Sequence, residues 1–221
     1  MEHESCYQAH GLDTKKKTLG ATERNEEARS AWREQMKQVD ANHLVIVDET
    51  GSNIGLTPLY ARAPQGQRAY GSIARKRGKN TTLLASLSLD GMGAAMILEG
   101  ATDALAFEIY VEQMLAPSLE PGQIVVMDNL SSHIGPAVRE AIQARGCRLL
   151  FLPAYSPDLS PIEEAFSKLK AFLRRVGART RQDLYQALSQ ALEVITPQDA
   201  LGWFTHCGYF PLDQEASAIA Q

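Results

Sequence analysis

Two uninterrupted apolar runs in this chain each stop at an aspartate: Leu44-Val45-Ile46-Val47 runs into Asp48, and Ile124-Val125-Val126-Met127 runs into Asp128. A strand with one wet face alternates polar and apolar residues, whereas a continuous run predicts a strand covered on both faces. Such strands belong inside an open sheet with helices packed against it. Ligand sites in sheets of that kind lie at the carboxyl ends of strands, where both aspartates fall.

A third acid follows a loop punctuated by prolines, Leu152-Pro-Ala-Tyr-Ser-Pro-Asp-Leu-Ser-Pro161, which feeds Ile162-Glu163-Glu164-Ala165-Phe166 into a helix. Thirty-four residues separate Asp128 from Glu163. Carboxylates delivered by two strand ends and a helix start supply the hard oxygens that a divalent cation requires, and such a cation can in turn hold a phosphate diester. Each acid also has a purely structural reading. Asp48 can cap a turn with Gly51, and Ser160-Pro161-Ile162-Glu163 fits a capping box with the glutamate at its third helical position. Glu49 points to the opposite face if its strand continues, Asn129 adds a second polar group beside Asp128, and Glu164 competes with Glu163 one position on.

The motifs VDETG (47–51), MDNLSSH (127–133) and LPAYSPDLSPIEEAFSKLK (152–170) resemble the DDE transposase domain of the insertion-sequence 630 branch of the Tc/mariner superfamily, over about residues 44–180. The resemblance implies that Asp48, Asp128 and Glu163 are the catalytic, metal-binding acids. It implies two Mg2+ ions, replaceable by Mn2+, and an endonuclease that cleaves DNA strands and joins a freed 3′-hydroxyl to a target during transposition. It further implies double-stranded DNA as substrate, a homodimer on DNA, insertion at TA, and a bacterial cytosolic, nucleoid-associated setting. His133 matches the family's recurring histidine in the second motif. It could contact DNA, order the metal shell or simply bond locally.

The pattern between the motifs predicts an α/β chain. Residues 22–39 read as an amphipathic helix with Ala28, Trp32 and Met36 on one stripe, and residues 56–68 as turns with a short strand. A strand at 81–89, a tight Asp90-Gly91 turn and a partner at 93–98 complete a meander with the first strand. Helices are expected at 103–115, capped by Thr102, and at 136–145, closed by Gly146, with a last short strand at 148–152. A further helix spans 180–194, and Trp203, Phe204, Tyr209 and Phe210 of the tail pack on the core. This order is that of a ribonuclease H-like fold, a mixed five-stranded sheet flanked by helices. The expected organisation is an arm and linker helix at 1–43, a catalytic domain at 44–180, and a helix and tail at 181–221.

Composition narrows the classes. At 221 residues and 44% hydrophobic, the chain can bury one full core, and no apolar run approaches the about 18 to 20 residues that cross a bilayer. Cys6, Cys147 and Cys207 are odd in number and far apart, which supports neither a disulfide framework nor a zinc site. A net charge of −4 argues mildly against nucleic acid, but basic residues cluster locally. Arg75, Lys76, Arg77, Lys79, Lys168 and Lys170 are the candidates for phosphate contacts, with a solvated surface as the alternative.

The chain departs from the family pattern ahead of Asp48. Full relatives carry paired helix-turn-helix modules there, whereas 47 residues precede it here and contain no evident recognition helix. The expectation is a catalytic half whose DNA-recognition portion is supplied by another polypeptide or reading frame. The alternatives are an idle remnant that regulates or inhibits a full-length transposase, and a plain ribonuclease H-like nuclease.

Overall fold

In the computed structural model, which describes residues 22–71, 77–130 and 133–212, the two apolar runs form the centre of a five-stranded sheet of order β3-β2-β1-β4-β5. The strands are β1 (Leu44–Ser52), β2 (Thr81–Ser88), β3 (Gly91–Glu99), β4 (Ile124–Met127) and β5 (Arg148–Phe151). β1, β2 and β3 are antiparallel, with Asp48 paired to Ala85. β4 and β5 run parallel to β1. The mixed sheet is the one the sequence predicts, but β1 does not stop at Asp48: it runs four residues further, to Ser52, on its pairing with β2. Its register with β4 has a direct consequence: Val47 pairs with Met127, so the residues that follow, Asp48 within β1 and Asp128 just past β4, stand side by side.

Helices cover both faces. Leu44 and Ile46 of β1 face one apolar cluster and Val45 and Val47 the other, as the period of two along a strand requires. The first cluster is closed by α1 (Glu26–Met36), α4 (Pro161–Val176), α5 (Arg181–Glu193) and α6 (Pro197–His206). The second is closed by α2 (Ala104–Tyr110) and α3 (Pro136–Ala144), through Phe107, Tyr110, Val138 and Ile142. Burial of one large apolar side chain such as Phe166 of α4 contributes about 2–3 kcal/mol.

Several elements differ from the sequence reading. Asp103, not Thr102, caps α2, accepting from the Ala106 N–H at 2.8 Å. α2 then widens into a π-turn, Val111–Leu115, before a last turn that contains Pro117, which has no N–H to donate. The described part of residues 56–71 forms no strand. The buried stripe of α1 is Arg29, Trp32 and Met36, with Arg29 in the place expected for Ala28. The tail folds as α6, whose Thr196 and Asp199 form a reciprocal capping box. Phe204 and Tyr209 pack in the core as expected, whereas Phe210 is half exposed. Among the described residues, no helix is long and apolar enough to cross a membrane.

Candidate active site

Beside the middle of β1 and the carboxyl end of β4 opens a cleft of about 350 Å³ lined by Asp48, Asp128, Asn129, Tyr155, Ser156 and Ser160 among others. Asp48 is half-buried, and its Oδ1 accepts from the Glu49 N–H at 2.7 Å. Burial raises its pKa to about 7, the hydrogen bond opposes the rise, and the negative charges of Asp128, Glu163 and Glu49 add to it. Burial first, and the neighbouring carboxylates second, thus make the charged form of Asp48 costly.

Asp128 is fixed from the other side of the sheet. His133 is fully buried, stacks on Phe107 with ring centroids 4.0 Å apart, and brings Nδ1 to 2.5 Å from Asp128 Oδ1. That approach is an ion-pair contact not aligned as a hydrogen bond, while Nε2 donates to Glu49 Oε2 at 2.9 Å. Burial works against a charged ring, but the two carboxylates outweigh it and raise the His133 pKa to about 9. The expectation that His133 contacts DNA is corrected by this placement: a ring with no exposed surface, wedged among Asp128, Glu49 and Phe107, has no face to offer a ligand. Glu49 points away from Asp48, as the alternation of the strand requires, and its partner there is His133.

Glu163 sits exposed in the first turn of α4. The capping box suggested by Ser160 and Glu163 does not form, since the Ser160 side chain makes no cap hydrogen bond and Glu163 contributes only its backbone N–H, to Ser160 O at 3.2 Å. Its carboxylate is thus not occupied by a capping role. Glu164, the competing acid, lies in close contact with His206 Nδ1. Asp48, inside β1, and Asp128, just past β4, are brought together, and Glu163 comes within electrostatic range of Asp48 without lining the cleft. Among the described residues, no three His, Cys, Asp or Glu side chains stand close enough to form a closed cation cage.

The basic candidates are scattered. Arg75 and Lys76 lie outside the described residues. Arg77 and Lys79 are exposed just before β2, at the sheet end where β1 finishes, and Lys79 pairs with Glu99 at 3.1 Å. Lys168 is tied to Asp199 at 2.5 Å, and Lys170 is half-buried. Sequence reasoning missed Arg29, which reaches across 129 positions to Asp158 in the loop before Glu163. The available signal was the spacing 29, 32, 36, a better fit to a helical stripe than 28, 32, 36 once a charged residue is admitted to the buried face.

Comparison with known proteins bears on this site. The family model described as DDE superfamily endonuclease matches residues 43–185, which include all three acids. The transposable element Tcb1 transposase of Caenorhabditis briggsae is 26% identical over 199 residues, covering 84% of this chain and 72% of that protein. The Tc1 transposase of Caenorhabditis elegans is 26% identical over 200 residues, with the same coverage. Among solved structures, the Mos1 transposase paired-end complex with left transposon end superposes with a TM-score of 0.70 at 18% identity, over 93% of this chain and 66% of that one. The Mos1 transposase catalytic domain with raltegravir and Mg gives a TM-score of 0.62 at 18% identity, over 86% of this chain and 92% of that one. The fold shared with these structures is the ribonuclease H-like one, and the chain spans about two thirds of the full Mos1 chain.

Proposed function

This chain belongs to the DDE superfamily endonuclease family, and on that premise we propose that it is the catalytic part of a transposase that cuts DNA strands and joins a freed 3′-hydroxyl to new DNA. The observation that carries the reading is the parallel pairing of Val47 with Met127, which sets Asp48 and Asp128 side by side over an open cleft. Within that reading Asp48, Asp128 and Glu163 are the acids of the site, and the branch is that of insertion sequence 630.

The donor set fits divalent cations: the oxygens are hard, and Asp48 and Asp128 stand side by side on the wall of an open cleft. Asp48, Asp128 and Glu163 would hold Mg2+ or Mn2+, as a pair of ions. The chemistry a bound pair supplies is Lewis-acid polarisation of the phosphate and activation of the attacking oxygen. His133 holds Asp128 in place through a contact anchored on Glu49. In the first step a P–O3′ bond breaks as water adds to phosphorus, leaving a 3′-hydroxyl and a 5′-phosphate. In the second, the 3′-oxygen forms a new P–O bond in the target strand, and the oxygen it displaces leaves with the proton.

Double-stranded DNA is the proposed partner, with Arg77, Lys79, Lys168 and Lys170 as phosphate contacts, on a homodimer in the bacterial cytosol. Residues 44–180 form the proposed catalytic unit, with 1–43 as arm and linker and 181–221 as a packed extension. A helix-turn-helix portion on another polypeptide would supply recognition of transposon ends.

The test is cleavage and joining of a precut 3′-hydroxyl end in Mg2+ or Mn2+ by the wild-type chain and by Asp128→Asn. A loss of at least about 100-fold in the variant is expected. Equal activity removes the proposed site. Cleavage without a joined product would mark a plain nuclease, and no reaction in either protein an idle remnant that acts on another transposase.

A further inference from the structure

Glu163 is exposed, uncapped and absent from the cleft wall, so its position depends on what fixes the start of α4. That start follows a one-turn 3₁₀ helix, Pro157–Leu159, and two side chains of α1 reach this turn. Arg29, with 1% of its surface exposed, donates from both terminal nitrogens to Asp158, at 3.0 and 2.6 Å. One turn along, Trp32 donates its indole N–H to Tyr209 Oη at 2.9 Å, and that hydroxyl donates in turn to Leu159 O at 2.6 Å. Arg24, just ahead of α1, adds a single nitrogen, Nη2, shared between both Asp158 oxygens at 2.7 and 2.9 Å.

A surface ion pair would not need such an arrangement. The guanidinium of Arg29 is withdrawn from water, its two terminal nitrogens go to the half-exposed Asp158 while its Nε pairs with Glu26 at 3.4 Å, and the Trp32-Tyr209-Leu159 chain is buried throughout. Together they hold both a side chain and a backbone carbonyl of the same three-residue turn. Asp158 stands five positions before Glu163, with Pro161 stiffening the chain between them. Supports of this kind matter because a shift of about 1 Å in a reacting group is enough to impair catalysis.

We propose that α1 is a bracket for the candidate site: Arg29 and Trp32 are positioning residues that act through the Pro157–Leu159 turn to set where Glu163 presents its carboxylate. The inference rests on the reading of Glu163 as an acid of the cation site. It makes the segment ahead of the catalytic unit a working part of it, so that any displacement of α1 is felt at the third acid.

The experiment measures Mn2+ binding to the full chain by electron paramagnetic resonance of the free ion, in wild type, Arg29→Lys, Trp32→Phe, Glu163→Gln and Leu188→Val. Leu188, buried on α5 away from the turn, serves as a control for general loosening of the core. Arg29→Lys keeps charge but loses the fork, and Trp32→Phe keeps a packed ring but loses the donor. Each is expected to weaken Mn2+ binding about tenfold, while Leu188→Val stays within about twofold at a comparable loss of melting temperature. Wild-type affinity in Trp32→Phe, which retains its packing whether or not Arg29→Lys folds, overturns the bracket. Wild-type affinity in Glu163→Gln overturns the reading beneath it, and is told apart because it concerns the acid itself.

Discussion

His133 Nε2 lies 2.9 Å from Glu49 Oε2, joining the loop after β4 to the middle of β1 beside the candidate site. His133 is buried against Phe107, Glu49 is partly buried, and the two are separated by 84 positions in the chain. His133→Gln removes the charge, the ring stacking and the contact with Asp128. A loss of about 2–4 kcal/mol in urea unfolding is expected, because Glu49 is left without its partner.

The same histidine predicts a pH dependence. Its folded pKa of about 9 lies above the ordinary value of 6.5, so its contribution is complete below about pH 6.5 and is lost as the pH rises through 9. In the presence of a chelator, the urea midpoint of the wild-type chain should fall between pH 7 and 9.5. His133→Gln should be flat by comparison, and parallel slopes in the two proteins would refute the assignment.

Asp48 gives a second, lower window. A carboxyl whose folded pKa is raised from 3.8 to about 7 favours the fold below its unfolded pKa and loses that advantage as the pH climbs through 7. Asp48→Asn should therefore stabilise the cation-free protein at pH 8 by about 2–4 kcal/mol. Added Mn2+ should stabilise the wild type at that pH and leave the variant largely unmoved, read as a shift in melting temperature.

Tyr155 is the one non-glycine residue with a positive φ among those described, at 56°, and it stands 59% exposed on the wall of the cleft. An L-residue held there is strained by about 1–2 kcal/mol. Tyr155→Gly relieves that strain but adds entropy to the unfolded chain, so a net gain of about 0.5 kcal/mol is expected, whereas Tyr155→Val should lose about 1–2 kcal/mol. Calorimetry on the two variants gives opposite signs if the backbone conformation is as described.

At α6, Thr196 Oγ1 accepts from the Asp199 N–H at 3.2 Å, and Asp199 Oδ2 accepts from the Thr196 N–H at 2.9 Å and from Lys168 at 2.5 Å. These donors, Lys168 first, hold the Asp199 carboxyl down at about 2. Thr196→Ala should cost about 1 kcal/mol at neutral pH. The difference between variant and wild type should shrink only below about pH 4, where Asp199 begins to lose its charge advantage.

The two central strands and the helix carrying Glu163 were legible in the chain, because continuous apolar runs and proline punctuation are local signals that do not wait on a partner. The same holds for the Asp90-Gly91 turn and for Gly146, whose φ of 73° closes α3. The end of β1 was not legible, since its pairing with β2 carries it past Asp48 to Ser52. Local pattern misled at Ser160 and Glu163, where the spacing of a capping box is present without its hydrogen bond. It also passed over α6, whose start at Pro197 followed a real capping box at Thr196.

Tertiary structure alone decided what surrounds the acids. Arg29 meets Asp158 across 129 positions, and His133 meets Glu49 across 84, so each pairing depends on how helices and strands stack. Nothing in either partner's own neighbourhood announces the other. A buried charge is tolerated only where the fold supplies its counter-charge, and that supply is a property of the assembled core rather than of any stretch of sequence.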